Sequence, residues 1–264
     1  MIYITSLSNT AVKEAKLLKN RKYREEKQLF FIEGARFVEE AFEAEAQVEA
    51  VFVSEEFRNI GSKLSSMIEK ATCSKYSVTE KVFREISDTE TPQGILAIVG
   101  IQKNDLSAAK NGNGLFVLLD SVRDPGNMGT IIRTADAAGF SGVIACKGCV
   151  DVYNPKVLRS TMGSIFHMPV YSGFETTEAI KLLKANGITV YASHLKGNSS
   201  IYDVNLTANA AIVIGSEAEG ISDETAGAAD VLVKIPMPGK AESLNASVAA
   251  AVMIFESVRQ RSQA

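Results

Sequence analysis

The chain has 264 residues and a formal net charge of −3, with 46% hydrophobic and 22% charged residues. That is the balance of a water-soluble globular protein with apolar material for one large or two medium domains, and it excludes a disordered, fibrous or disulfide-scaffold class. No apolar run is as long as a membrane span and no basic-then-apolar leader opens the sequence, so neither a membrane segment nor a signal peptide is expected. The three cysteines, Cys73, Cys146 and Cys149, are an odd number and fit a reducing, cytoplasmic setting.

The first stretch is basic in a chain that is acidic overall. Between Ala11 and Gln28 stand Lys13, Lys16, Lys19, Arg21, Lys22, Arg24 and Lys27 against Glu14, Glu25 and Glu26. Ser8 or Asn9 can cap a helix there, with Val12, Ala15 and Leu18 as its apolar face. The run reads either as a solvated helix face or as a phosphate-contacting patch, the second reading helped by Tyr23 among the cations. LFFIEG follows as a strand, ARFVEEAFEA as a helix, VEAVFVS as a strand and SKLSSMIEKA as a helix. After a polar stretch, GILAIVGI is another strand. Together they make a small α/β unit. QKNDLSAAKNGNG, rich in Asn, Gly and Lys, reads as a boundary. The expected division is 1–103, a linker over 104–114, and 115–264.

The second part opens with LFVLLD, an apolar strand of the kind covered on both faces. SVRDPGNMG is read as a turn, TIIRTADAAGF as a helix, GVIAC as a strand and NPKVLRSTMG as a helix. MPVY is a strand, TEAIKLLKANG a helix, and ITVYAS and AAIVIG are strands. SDETAGAA is a short helix and VLVKIP the last strand. This alternation implies a mostly parallel sheet, whose ligands bind beyond the carboxyl ends of the strands. Three of those ends carry unusual loops. In the first, Pro125, Gly126 and Gly129 present Asn127 just before a helix. Arg133 follows six residues later, close enough along the chain for both to face one site. The second is IGSEAEGIS, with Glu217 between Gly215 and Gly220. The third, PMPGKAESLN, leads Ser243 and Asn245 into an Ala/Val/Met/Ile helix expected to be buried on most sides. Singly, Arg133 reads as a surface charge and Glu217 as a helix-terminal charge.

Nucleotide fingerprints are missing: neither G-x-G-x-x-G nor a P-loop is present. Cys146 and Cys149 form a CxxC without the second pair or histidine of a zinc site, and its loop context does not suit a redox motif, so no metal is expected. His167 and His194 have no triad partners in view and read as structural or at a site rim.

DPGNMGTIIRTADAAGF, IGSEAEGIS and IPMPGKAESLNASVAAA, in that order, resemble the three signature motifs of the SpoU (TrmH-like) RNA methyltransferases of the SPOUT superfamily. The N-terminal part resembles that family's substrate-binding domain, which is similar to small ribosomal RNA-binding proteins. The resemblance implies an α/β protein whose mostly parallel sheet carries a C-terminal trefoil knot, and transfer of a methyl group from S-adenosylmethionine to a ribose 2′-hydroxyl of structured RNA. Ribosomal RNA is favoured over transfer RNA. Carried over by motif, the cofactor would lie against Gly215, Ile235 and Leu244, lined by Met237 and Ala246, with Ser193 a further contact. Asn127, Arg133, Glu217, Ser243 and Asn245 match polar active-site positions, where the asparagines would orient ribose or Arg133 and Glu217 would pair with a cation. Arg133 matches a residue proposed as base in relatives. A guanidinium, with a pKa above about 12, suits phosphate holding or alkoxide stabilisation better. Lys13, Arg21, Lys22 and Arg24 would grip RNA phosphates. A homodimer through the C-terminal helix is implied. Thr161 and Met162 stand where relatives more often have a Ser followed by a small residue, a change expected to alter packing near the site. A non-catalytic RNA-binding or ribosome-assembly factor would keep the fold without the chemistry, and a nucleotide-dependent oxidoreductase would need a fingerprint that is missing.

Overall fold

The computed structural model describes residues 1–57, 61–106 and 114–263. The described chain forms two compact units. One takes Met1–Gln102 together with Tyr153–Phe166, and the other takes Lys103–Val152 and His167 to the C-terminus.

In the first unit the elements are β1 (Ile2–Ile4), α1 (Thr10–Leu17), α2 (Arg21–Lys27), β2 (Leu29–Glu33), α3 (Ala35–Glu43), β3 (Val48–Ser54), α4 (Ser62–Lys70), β4 (Ser74–Val78), α5 (Glu80–Ile86) and β5 (Ile95–Gly100). The five strands pair in the order β1-β4-β3-β5-β2, with β5 antiparallel to both neighbours. Strand alternation divides the side chains between two cores. Phe31, Phe52, Leu96 and Ile98 face Val12, Leu18, Val82 and Phe83, while Phe30, Ile32, Val51 and Ile95 face Val38, Ala41, Leu64 and Ile68.

The second unit holds β6 (Leu115–Leu119), α6 (Pro125–Ala137) and β7 (Gly142–Ala145). After α7 (Pro155–Thr161), which lies in the segment that packs with the first unit, come β8 (Val170–Ser172), α8 (Thr176–Ala185), β9 (Thr189–Ser193), β10 (Ser199–Ser200), β11 (Ala210–Ile214), α9 (Asp223–Ala228), β12 (Val231–Lys234) and α10 (Ala246–Ser262). Seven strands pair in the order β10-β12-β9-β11-β6-β7-β8, every pairing parallel. Every residue of β6 and β11 is buried, as their unbroken apolar runs require. The chain leaves β6 toward β7 and β8, then builds β9 to β12 on the other side. The crevice at β6 and β11 is therefore a topological switch point, where open parallel sheets place their ligands.

Of the expected linker, 107–113 lie outside the described residues, while Leu106 is buried in the second unit's core and the Asn104 side-chain amide donates to the Val170 carbonyl at 3.1 Å. Three readings are corrected. The polar stretch before β5 contains β4 and α5, with Thr79 capping α5. The Pro/Gly turn before Asn127 is the first turn of α6, because the Asp124 carboxylate accepts the Asn127 N–H at 2.8 Å and Pro125 occupies the first helical position. Finally, α10 is not buried on most sides: Val248 is 48% and Phe255 49% exposed, leaving one apolar stripe uncovered. No helix among the described residues is long and apolar enough to cross a membrane.

Candidate active site

Sheet order alone brings the three motif loops together. They follow β6, β11 and β12, and these strands lie with β9 as four consecutive neighbours, β12-β9-β11-β6. At their carboxyl ends opens a cavity of about 340 Å³, walled by Ser193–Lys196, Ile214–Ile221, Lys234, Ile235, Met237, Ser243, Leu244, Ala246 and Ala249. That volume is within the range of about 300–1,000 Å³ typical of small-molecule sites.

The loop after β11 is held by its own backbone. Ser216 N–H donates to the Gly220 carbonyl at 2.9 Å and Gly220 N–H returns a bond to the Ser216 carbonyl at 3.0 Å. The Ser216 hydroxyl accepts the Glu219 N–H at 3.1 Å. Inside this turn Gly215 has no room for a side chain, since a Cβ there would lie 2.1 Å from the Gly220 carbonyl carbon. On the opposite wall His194 N–H donates to the Val233 carbonyl at 2.9 Å, and the His194 Nδ1 accepts the Lys196 N–H at 3.1 Å. His194 thus belongs to the cavity wall, and its accepting nitrogen is already engaged.

The polar residues divide sharply. Asn127, only 7% exposed, donates from its side-chain nitrogen to Glu217 Oε1 at 2.7 Å. The amide therefore orients Glu217, which forms no ion pair among the described residues. Ser243 lines the cavity. Asn245 is the cap of α10: its Oδ1 accepts the Ser247 N–H at 2.9 Å, the Val248 N–H at 3.3 Å and the Ser247 hydroxyl at 2.7 Å. Its oxygen is committed to the helix and it does not line the cavity. Arg133 is also outside the cavity wall, exposed on α6 and without an ion pair or side-chain hydrogen bond among the described residues. Six residues along one helix put it roughly 120° around the helix from Asn127, so the two do not share a face. Thr161 is buried with its hydroxyl on the Leu158 carbonyl at 2.7 Å, and Met162 is exposed. Neither lines the cavity, so the expected effect on its packing is withdrawn.

Of the basic stretch, Lys13 and Lys22 are exposed and unpaired among the described residues, while Arg21 is exposed and bonded to Glu25 at 2.7 Å. Arg24 is different. It is 3% exposed, and its guanidinium donates to the Leu18 and Lys19 carbonyls at 2.6 and 3.0 Å. It closes the end of α1 and is unavailable to a phosphate, which corrects its assignment to the RNA-gripping set. Lys19 likewise donates to the Glu85 carbonyl at 3.1 Å, and Lys16 pairs with Glu85 at 2.6 Å.

Burial pushes the Cys146 thiol up to about 12 and the Cys149 thiol up to about 11. Thiols held protonated in this way are poor nucleophiles and poor metal ligands.

Residues 114–255 match the model of the SpoU rRNA Methylase family, more than half of the chain. The chain belongs to the SpoU rRNA methylase family. Residues 9–97 match the MRM3-like substrate binding domain, so this SpoU methylase carries that module ahead of its parallel sheet. It is 36% identical over 255 residues to the 23S rRNA (guanosine(2553)-2′-O)-methyltransferase RlmP of Bacillus subtilis, covering 97% of this chain and 98% of that one. It is 31% identical over 252 residues to the 23S rRNA (uridine(2479)-2′-O)-methyltransferase of Streptomyces viridochromogenes, covering 93% and 88%. Among solved structures, the AdoMet-bound rRNA methyltransferase of Sinorhizobium meliloti matches with a TM-score of 0.87 at 32% identity, over 97% of each chain. The AviRb methyltransferase of Streptomyces viridochromogenes in complex with AdoMet matches with a TM-score of 0.88 at 29% identity, over 96% and 98%.

Beyond the motif residues, His194, read above as structural or at a site rim, and Lys196 line this SpoU methylase cavity, and Asp120 stands behind its wall. His194 and Lys196 follow β9, a strand end that carries no glycine- or proline-rich signal; only its place in the sheet makes it part of the site. Asp120, the acid ending the apolar run of β6, carries such a signal, because a carboxylate at the end of a fully buried strand needs partners.

Proposed function

We propose that this protein methylates a ribose 2′-hydroxyl of 23S ribosomal RNA, using S-adenosylmethionine bound in the cavity at the ends of β9, β11 and β12. The observation that carries this reading is that the second and third motif loops, with the end of β9, wall one cavity, while Asn127 of the first motif holds the cavity residue Glu217 at 2.7 Å. Ile214, Ile221, Ile235, Met237, Leu244 and Ala246 offer the flat apolar slot an adenine requires, and the glycine backbone at Gly215 allows the close approach that main-chain hydrogen bonding needs. Ser193 and Ser243 add hydroxyl-bearing side chains to the lining. These residues fit the cofactor.

When bound, S-adenosylmethionine supplies an already activated methyl group. What remains for the protein is to align an oxygen in line with it and to handle the hydroxyl proton. Glu217, aimed by the buried Asn127 amide, is an oriented acceptor for a cation or a hydroxyl at the cavity wall. Arg133, with no partner of its own among the described residues, is free to hold an RNA phosphate or to stabilise a developing alkoxide. Calorimetric titration with S-adenosylmethionine tests the reading: saturable one-site binding is expected, and no binding would favour a fold-retaining RNA-binding factor.

The MRM3-like module would recruit RNA through Lys13, Arg21 and Lys22. Replacing all three by glutamine should weaken rRNA binding and lower the salt slope by roughly 0.7 to 0.9 for each phosphate no longer neutralised. An unchanged slope would return them to ordinary surface. The exposed stripe of α10, Val248 and Phe255 with half-buried Val252 between them, repeats at helical spacing and is suited to a second copy of the chain. Sedimentation of the double variant Val248→Asp, Phe255→Asp should give half the mass of the unaltered protein; equal masses would remove this face from any dimer. We place the enzyme in the cytoplasm, where ribosomal RNA is available.

A further inference from the structure

Asp120 is 6% exposed, yet no cation pairs with it among the described residues. Burying a carboxylate is costly unless donors surround it, and here neutral donors from two separate helix starts do so. Thr176 at the start of α8 donates its hydroxyl to Oδ1 at 3.0 Å. Ser222, which caps α9, donates its N–H to Oδ2 at 3.2 Å, and Thr225 in the first turn of α9 donates its hydroxyl to the same oxygen at 2.8 Å. The Asp120 N–H donates to the Ile214 carbonyl at 2.9 Å, the residue just before Gly215.

These bonds bracket the loop that walls the cavity. At its near end the Ser216–Gly220 turn closes the backbone on itself. At its far end Ser222 immediately follows Ile221, a cavity residue; its N–H is held by Asp120, just after β6, and its side chain caps α9. The same loop carries Glu217, held by Asn127 from the helix that follows β6. Both fastenings of the loop thus come from the segment after β6.

We propose that Asp120 is a positioning residue for the cofactor cavity. Through Ser222 and Thr225 it holds the 215–221 loop against β6, and this fixes the slot between Gly215 and Ile221. The inference rests on the assignment of that cavity to S-adenosylmethionine. Its two arms have different consequences. The bonds to α9 govern the loop, whereas the bond from Thr176 leads to α8, which contributes nothing to the cavity wall. Asparagine can keep the arrangement, its oxygen accepting from Ser222 and Thr225 and its nitrogen donating to the Thr176 hydroxyl.

The test is calorimetric titration of S-adenosylmethionine into the full-length wild type, Asp120→Ala, Asp120→Asn, Thr225→Val and Thr176→Val, with a thermal melt of each. Asp120→Ala and Thr225→Val are expected to weaken affinity by roughly tenfold or more, with turnover recovering at saturating cofactor. Asp120→Asn should restore affinity to within about threefold of wild type, and Thr176→Val should stay there although its melting temperature falls. If Asp120→Ala does not fold, Thr225→Val against Thr176→Val decides alone. Wild-type affinity in Thr225→Val, or equal losses in the two threonine variants, would overturn the proposal. A wild type that binds no cofactor would refute the cavity assignment instead.

Discussion

Replacing Arg133 by alanine is expected to lower methyl transfer by roughly 10²- to 10³-fold, the range for loss of one charged or hydrogen-bonding group that acts in the transition state. Cofactor affinity should stay within about twofold, because Arg133 does not line the cavity. Nor should stability change appreciably, since an exposed and unpaired guanidinium contributes little to the fold. Single-turnover kinetics with rRNA, paired with cofactor titration, measures both quantities. Lysine in place of arginine should restore only part of the rate, because it keeps the charge but loses the planar fork. Unchanged turnover in the alanine variant would remove Arg133 from the chemistry.

The second large effect is expected at Gly215. Its requirement is space, since a Cβ would be 2.1 Å from the Gly220 carbonyl carbon and 2.3 Å from the Ile221 nitrogen, both backbone atoms that cannot rotate away. Gly215→Ala must therefore push the loop off β11, moving Ile221 and Glu217 with it. Overpacking of this kind costs about 1–3 kcal/mol in stability. Affinity for S-adenosylmethionine should fall by roughly a hundredfold, as measured by titration of the folded variant. Gly227→Ala serves as the control, because a Cβ there meets nothing within 4 Å. Equal behaviour of the two variants would show that the turn has slack.

The long periodic and apolar segments were legible in the sequence because burial on both faces leaves an unbroken record, as in LFVLLD and AAIVIG. Short or half-polar elements were not. SKYSV buries only Val78 fully, so its strand pairing with β3 leaves little trace in hydropathy. The start of α6 had a usable signal, Asp124 followed by Pro125, which the flanking glycines obscured. Arg24 could not be distinguished from its neighbours. Its inward turn depends on where α1 stops and which carbonyls that stop leaves free. Composition also counted the apolar residues of α10 without saying which face the chain itself would cover. At the site, most of the cavity residues lie in the second and third motifs. The Asn127–Glu217 bond joins residues ninety positions apart, and only the adjacency of β6 and β11 brings them together.

Incubating purified protein with 23S rRNA and S-adenosylmethionine labelled at the methyl carbon, then mapping the label by mass spectrometry, tests the central claim most directly. One 2′-O-methylated ribose is expected, and the label should vanish when that nucleotide is supplied as its 2′-deoxy form in a synthetic fragment. Label on a base, or persisting on the deoxy fragment, would contradict the account.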